Sequence, residues 1–318
     1  MKHLGIRIGT VVLEIILFVL CVILAATAPR FLTAENLLNV LRNVSMQGLI
    51  ALGMTMVIIA GEIDLSVGSA VAFAGCLTAF LTGHLMGAGL PGEIAVPLAI
   101  VASLAVGFAL GSLSGFMRAR YSVPTFITTL ALMTGLSGAA ELITNGFPLT
   151  PFPSWYNFIG GGYVVGVPLP ALVFLAGFVV FHLLMNNTSF GRSVYAVGGN
   201  AEAARLSGID VAQVKILVLG VTGLLAALSG VMQSSEIMSG AATTAKGWEL
   251  DVIAAVIIGG TSMTGGSGKV WGTMVGVIFL GVIINGMTLL NISEYWQHVV
   301  RGVLILAAVL INRTQKQS

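Results

Sequence analysis

Charged side chains are scarce in this chain, and their scarcity excludes an ordinary soluble domain. Of the 318 residues, 8% are charged and 57% are hydrophobic, whereas about a quarter of the residues in a typical soluble domain are charged. The formal net charge is +2, without the basic stripe or aromatic–basic module of a nucleic-acid-binding protein. We therefore predict a chain that is surrounded by lipid and has no nucleic-acid partner.

Cysteine and the residue patterns of catalytic or metal sites are also nearly absent. Cys21 and Cys76 both lie in apolar runs, as small buried hydrophobic residues do. The four histidines match no metal or triad spacing. In the glycine-rich residues 261–270, Met263 and Val270 stand where a phosphate-binding loop needs a glycine and a hydroxyl. We predict no catalytic residue, no cofactor and no metal, and no nucleotide hydrolysis by this chain.

Apolar runs of about 20 residues recur along the sequence, and each could cross a hydrocarbon core of about 30 Å as a helix. Because lipid tolerates only structures that satisfy their own backbone hydrogen bonds, the sequence predicts an all-α polytopic membrane protein forming one domain over residues 1–318. Residues 44–83 fit two spans or one broken span, and the eighth span is short. We count about ten transmembrane helices, at residues 9–28, 44–61, 66–83, 94–117, 124–144, 168–186, 213–236, 249–263, 270–290 and 295–312.

Lysine and arginine predict the orientation of these spans. With a cytoplasmic N-terminus, ten of the fourteen basic residues fall in inside segments and three in outside segments, while Arg301 lies within a span. Positive side chains accumulate in cytoplasmic loops. Both termini are therefore predicted to be cytoplasmic. An acid is the natural partner for Arg301, but the sequence does not identify one.

One polar stretch, from Met185 to Asp210, interrupts the apolar chain. Asn200 is suited to cap the start of a helix, and Gly208 can take the left-handed conformation that ends one. The sequence therefore predicts a short helix between these two residues, on the cytoplasmic side. A capped, charged helix between two spans is suited to contact a soluble partner, and a purely structural membrane scaffold would not need it.

Further polar residues lie between or beside the spans. Asp64 and Ser66 belong to the polar cluster Gly61–Ser69, and either line a hydrophilic path or cap the third span. Asn145 and Asn285 lie near outer span ends, where their amides either bind sugar hydroxyls or bridge helices. We take these four residues as candidates for a translocation path.

Two further patterns concern how the spans pack. Glycines repeat at every fourth position in the fourth span, from Gly107 to Gly115, and in the ninth, at Gly272 and Gly276. This spacing lets helix backbones approach closely, within one chain or between two. Residues 61–65 and 247–252 also share a short acidic pattern, five spans apart, which would place them on opposite sides of the membrane as in an inverted repeat.

Three blocks of residues resemble the ribose-type permeases of bacterial ABC importers. They are Gly61–Gly68, Gly191–Ile209 and Trp248–Ser262, and the likeness spans nearly the whole chain. The resemblance implies a type II ABC importer permease fold, with two permease subunits around a central path. Glu62 departs from the ribose-permease pattern and residues 147–163 match nothing in it, so both regions are candidates to face the substrate.

The resemblance also implies partners for this chain. The middle block resembles the coupling loop, at about residues 187–212 (the polar segment), by which such permeases dock onto their ATPase. Implied partners are an ATP-binding subunit, often a fused double ATPase; a periplasmic sugar-binding protein; and a second permease subunit, identical or paralogous, in the bacterial inner membrane. The residues carried over to coupling are Gly191, Arg192, Gly198, Gly199, Asn200, Ala203, Ala204, Arg205, Gly208 and Ile209.

The sequence thus predicts the permease subunit of an ABC importer for a monosaccharide, a pentose or a related small polyol, with ATP hydrolysis by a separate polypeptide. The alternative is an ion-coupled secondary sugar carrier. Such a carrier needs an acid near the midplane with a polar partner, and Glu14 is the only candidate at that depth.

Overall fold

The computed structural model describes the backbone of residues 2–314 and the side chains of residues 12–304, Leu306, Ala307 and Leu310. Residue 1 and residues 315–318, at the termini predicted to be cytoplasmic, lie outside the described residues. The regular structure of the described chain is helical, including a 3₁₀ helix (Ser154–Tyr156), apart from one hairpin, β1 (Tyr163–Val164) with β2 (Val167–Pro168). Its α-helices are α1 (Lys2–Thr27), α2 (Ala34–Ile59), α3 (Val67–Gly87), α4 (Gly92–Tyr121), α5 (Thr125–Thr144), α6 (Asn157–Gly161), α7 (Leu169–Asn187), α8 (Ser189–Gly199), α9 (Ala201–Leu206), α10 (Val211–Glu236), α11 (Trp248–Ile258), α12 (Val270–Leu289) and α13 (Glu294–Thr314).

Seven helices of the described chain are long and apolar enough to cross a membrane: α2, α3, α4, α5, α7, α10 and α12. The other three predicted spans fall on α1, α11 and α13. Of these, α1 is apolar over the part whose side chains the structure describes, Val12–Thr27, and α11 has 11 residues, or about 16 Å of helix. A multi-span helical protein is confirmed, whereas a count of ten crossings stays a prediction.

The helix α2 forms the centre of the bundle, because it is buried on every side over most of its length. It packs against α10, where Ser229 Oγ donates to the Met46 carbonyl at 2.8 Å. A helix that is apolar all round belongs in a core rather than against lipid alone. The α2–α10 pair is thus the scaffold around which the other helices are arranged.

The repeated glycines pack helices of the same chain together, as one of the two interpretations held. A Cβ added at Gly107 would lie 2.6 Å from the Gly223 carbonyl oxygen of α10. Gly111 and Gly115 face α10 in the same way, and Gly272 meets Gly259 at the end of α11. Close backbone contact supplies van der Waals energy where lipid gives no hydrophobic drive.

Candidate functional site

The polar segment contains two helices rather than the single one predicted. The additional helix, α8, begins almost directly after α7, and its first turn is capped by Thr188, whose hydroxyl accepts the Gly191 N–H at 3.1 Å. A Cβ at Gly191 would collide with the carbonyl oxygens of Leu184 and Met185. Only glycine fits this tight connection between the two helices.

The predicted short helix is α9, and both of its ends are formed as expected. Asn200 Oδ1 accepts the N–H groups of Glu202 and Ala203, each at 3.0 Å. Gly208 has φ +84°. The Gly208 N–H donates to the Arg205 carbonyl oxygen, and the Ile209 N–H donates to the Ala204 carbonyl oxygen, both at 3.0 Å. These are the paired bonds of a Schellman C-cap, so the structure confirms the caps predicted at Asn200 and Gly208.

One face of α9 is anchored and the other is open. Ala204 is buried, whereas Leu206 is 78% exposed, and the Arg205–Glu202 ion pair (2.6 Å) is two-thirds exposed on both sides. The hydrogen bond and the charge of Arg205 hold the pKa of the Glu202 carboxyl below its ordinary value. The result is a small rigid surface, charged around an apolar tip, which suits contact with a partner.

The polar segment is connected to the bundle through α8. A Cβ at Gly198 would collide with the Ile59 carbonyl oxygen and lie 2.7 Å from the Gly266 nitrogen. Gly266 N–H itself donates to Ile59 O at 2.9 Å, and the Tyr195 hydroxyl donates to Gly268 O at 2.9 Å. A movement of α8 therefore reaches both the end of α2 and the loop that joins α11 to α12.

Glu62 lies at the same edge of the bundle, in a buried cluster of charges. Its Oε1 accepts from Arg118 Nε at 3.0 Å and from Lys215 Nζ, and its Oε2 accepts the Thr125 hydroxyl at 2.6 Å. The side chain is 5% exposed. The expectation that Glu62 faces the substrate is therefore wrong in this structure, because its carboxylate is fully used in joining residues 60–66 to α4, α5 and α10.

After Glu62 the chain runs without helix into the bundle interior. Asp64 is 1% exposed, and its Oδ1 accepts the Ser66 N–H at 2.8 Å and the Ser66 hydroxyl at 2.6 Å. Neither side chain caps the first turn of α3, so the capping interpretation of Asp64 and Ser66 is wrong. The Ser69 and Ser137 hydroxyls lie 3.0 Å apart. Ser137 lies about 18 Å further along α5 than Thr125, which contacts Glu62 at the edge of the bundle. The start of α3 thus lies deep in the bundle.

A second non-helical segment, residues 237–247, enters from the opposite edge and meets the start of α3. A Cβ at Gly68 would collide with the Glu249 carboxylate and lie 2.8 Å from the Ala245 carbonyl oxygen. The second acidic pattern therefore reaches the start of α3, three residues after the first pattern, although the two segments enter from opposite edges. Since α11 is only about 16 Å long, its N-terminus and that of α3 both lie at mid-depth, as in transporters with discontinuous helices.

The remaining candidate residues lie elsewhere. Asn285 exchanges two amide hydrogen bonds with Asn36, at 2.8 and 3.0 Å, so it bridges α12 to α2. Asn145 is exposed and ends α5 with φ +50°. Of the four proposed path residues, only Asp64 and Ser66 contact each other. Arg301 pairs with Asp251 at 3.1 Å, a partner that the sequence did not identify.

Comparisons with known proteins find relatives over nearly the whole chain. Residues 36–309 match the family described as "Branched-chain amino acid transport system / permease component". The chain is 42% identical to the ribose import permease protein RbsC of Bacillus subtilis, over 93% of this chain and 90% of that protein. It is 39% identical to RbsC of Escherichia coli K12, over 95% and 93% of the two chains. It is 37% identical to the L-arabinose ABC transporter permease protein AraH of Azospirillum brasilense, over 98% and 88%. No solved structure matches significantly.

Proposed function

We propose that this chain carries a monosaccharide inward as one subunit of an ATP-driven importer. The premise is its family: the chain belongs to the branched-chain amino acid transport system permease components. Its relatives are permeases of sugar ABC importers, and a multi-pass sugar permease of the bacterial inner membrane is the class of this chain. The finer parts of the proposal are the cargo, the coupling surface, the path and the partner subunits. We propose that residues 1–318 form one transmembrane domain.

The proposed cargo is a pentose or a related small polyol. Relatives sharing 37–42% of their residues with this chain are named for ribose and L-arabinose, two uncharged pentoses. The chain has few charges with which to hold an ionic solute, and its buried Glu62 is neutralised by its own cations. An uncharged polyhydroxylated solute fits such an interior best.

The proposed coupling element is α9 with the polar segment around it. The exposed tip formed by Arg205 and Leu206 is the surface offered to an ATP-binding subunit, and the double cap keeps that tip rigid. In this proposal a displacement of α9 also moves α8. The contacts of Gly198 and Tyr195 transmit that movement to the end of α2 and to the loop before α12. This capped, outward-facing helix is the observation that carries the proposal.

The proposed path runs where the starts of α3 and α11 meet. Non-helical backbone is tolerated at membrane depth only where protein buries it or where it lines a water-filled cavity. Asp64 and Ser66 lie in one such segment, and Glu249 follows the other. Asn145 and Asn285 belong to the outer end of the path, where Asn285 also bridges two helices.

The proposed assembly follows from the predicted orientation of the chain in the membrane. With both termini in the cytoplasm, α9 faces an ATP-binding subunit, which is a fused double ATPase in our proposal, and the loop 145–167 faces a periplasmic sugar-binding protein. A second permease subunit, identical or paralogous, completes the path. ATP hydrolysis takes place in the partner, so this chain is a non-catalytic subunit.

Reconstitution into proteoliposomes tests the proposal. With the ATP-binding subunit and the binding protein present, we expect uptake of labelled ribose or arabinose to require ATP and to persist when ion gradients are collapsed. Uptake that survives ATP depletion and disappears with the membrane potential would instead establish the ion-coupled carrier. The comparisons do not favour that alternative.

A further inference from the structure

A crevice of about 880 Å³ lies between α1, α12 and α13, outside the proposed path. Its apolar walls are formed by residues of α1 and α13, among them Ile16 and Leu304, and by one face of α12. Among the described residues, α1 packs on α12, and the crevice lies beside this contact, between α1 and α13. The walls suit a hydrocarbon chain rather than a polar solute.

The face of α12 in the crevice changes character along its length. Trp271, Val275 and Phe279 are spaced four residues apart, so they form one stripe along about 12 Å of helix. Trp271 is 49% exposed, and its indole N–H donates to Glu14 Oε1 at 3.0 Å. Tryptophan side chains mark the level of lipid headgroups. The stripe thus runs from headgroup level into the hydrocarbon region.

The polar end of the crevice carries an unpaired positive charge. Lys269 lines it together with Ser267 and Asn186, and no salt bridge among the described residues includes Lys269. Glu14 is the acidic residue of the crevice, but its carboxylate is held by the Trp271 indole. Basic pockets between membrane helices on the cytoplasmic side are suited to anionic lipid headgroups.

We propose that this crevice binds an anionic phospholipid of the cytoplasmic leaflet, with its phosphate at Lys269 and an acyl chain along Trp271, Val275 and Phe279. The site rests on the cytoplasmic orientation in the proposed function, but on no assumption about the cargo. Its headgroup end adjoins Gly268, which accepts the Tyr195 hydroxyl of α8. The bound lipid therefore supports the loop through which α8 contacts the bundle.

Native mass spectrometry of the full chain in detergent tests the site directly, with phosphatidylglycerol and phosphatidylcholine of identical chains as probes. We expect the wild type to retain phosphatidylglycerol in preference. Lys269→Gln should weaken that retention about fivefold, as expected for one basic side chain at a membrane surface. Lys246→Gln, which removes a charge from an exposed position that does not line the crevice, should leave it unchanged.

A second pair of variants tests the apolar part of the site. Ala307 is exposed and lines the crevice, whereas the neighbouring Leu306 is exposed but does not line it. Ala307→Trp should reduce retention of both lipids, and Leu306→Trp should not. Equal retention of phosphatidylglycerol by the wild type and Lys269→Gln would overturn the proposal, as would a crosslink showing a second copy of the chain seated in the crevice. Because no transport is measured, failure here leaves the proposed function unaffected.

Discussion

Glu62 connects α4, α5 and α10 to the chain segment that follows α2. Its carboxylate takes up the charges of Arg118 and Lys215, and all four residues of the cluster come from different parts of the chain. Removing one partner from a buried pair leaves an uncompensated charge, which costs far more than the net value of the pair. The stability of this edge of the bundle should therefore depend on Glu62.

We expect Glu62→Gln to lower the free energy of unfolding by about 3 kcal/mol, measured by denaturant unfolding in detergent. Glu35→Gln, at an exposed position in α2, is the matched control and should stay within about 0.5 kcal/mol. The double variant Glu62→Met with Lys215→Met should recover part of the loss, because it removes both charges. Unchanged stability of Glu62→Gln would show that the cluster is not a stabilising contact.

Neighbouring glycines allow a sharper test of how α8 is attached. A Cβ at Gly198 would collide with the Ile59 carbonyl, whereas one at Gly199 would meet nothing within 4 Å. Gly198→Ala should therefore cost about 1–3 kcal/mol in unfolding free energy through overpacking, and Gly199→Ala should be close to neutral. Equal effects of the two substitutions would contradict the close packing of α8 on α2.

At the scale of single residues, the sequence could predict a contact only where the contacting residues are close together in the chain. Asn200 and Gly208 bracket their own helix, so cap chemistry was enough to predict both ends of α9. Glu62 and Lys215 are 153 positions apart. No local pattern indicates that contact, and the sequence predicted instead that Glu62 is a candidate to face the substrate.

At the scale of elements, α9 is too short to be stable by itself, because isolated helices shorter than about 12 residues are marginal in water. Its six residues are held by two caps and by buried Ala204. Stability and docking are therefore separable: the caps and Ala204 hold the helix in place, and the exposed tip is free to bind a partner.

We expect Arg205→Glu to reduce ATP-driven uptake at least about tenfold, because it reverses a charge at the centre of the proposed interface. Its effect on stability should be small, since the Arg205–Glu202 pair is solvent-exposed. Arg120→Glu makes the same charge change at an exposed position at the end of α4 and should preserve uptake. Loss of uptake in both variants would point to a general charge effect.

Gly208→Pro should uncouple ATP hydrolysis from uptake by a different route. Proline cannot reach the φ of +84° seen at this position, and it lacks the N–H that donates to Arg205 O. The C-terminal cap of α9 should unfold while the spans remain intact. ATPase activity of the assembled complex, compared with its sugar uptake, measures the uncoupling; a normal ratio would contradict the role of the cap.

The helix α8 shows where reasoning from local propensity fails. Gly191 and Gly198 each disfavour a helix interior by about 1 kcal/mol relative to alanine, and only α9 was predicted from the sequence. Close contacts with Met185, Ile59 and Gly266 require glycine at positions 191 and 198. Tertiary packing thus decides a helix that its own residues oppose. By contrast, the short α11 was predicted from the length of its apolar run.

At the scale of the whole molecule, two irregular segments enter from opposite edges and meet beside α3. The sequence pattern predicted opposite sides, because counting spans gives the edge at which a segment starts but not its depth. Gly68, with no side chain, lets Ala245 and Glu249 approach. This arrangement places two helix N-termini in the interior, while α8 and α9 stand at the edge where a motor would act.

The most direct test of the account is a photo-crosslinking residue at Leu206, the 78% exposed tip of α9, in the complex assembled with its ATP-binding subunit. We predict a covalent adduct between Leu206 of this chain and that subunit, and none from the same probe at Asn145. No adduct from Leu206, or an adduct from Asn145 in its place, would contradict the claim that α9 receives the movement of the ATPase.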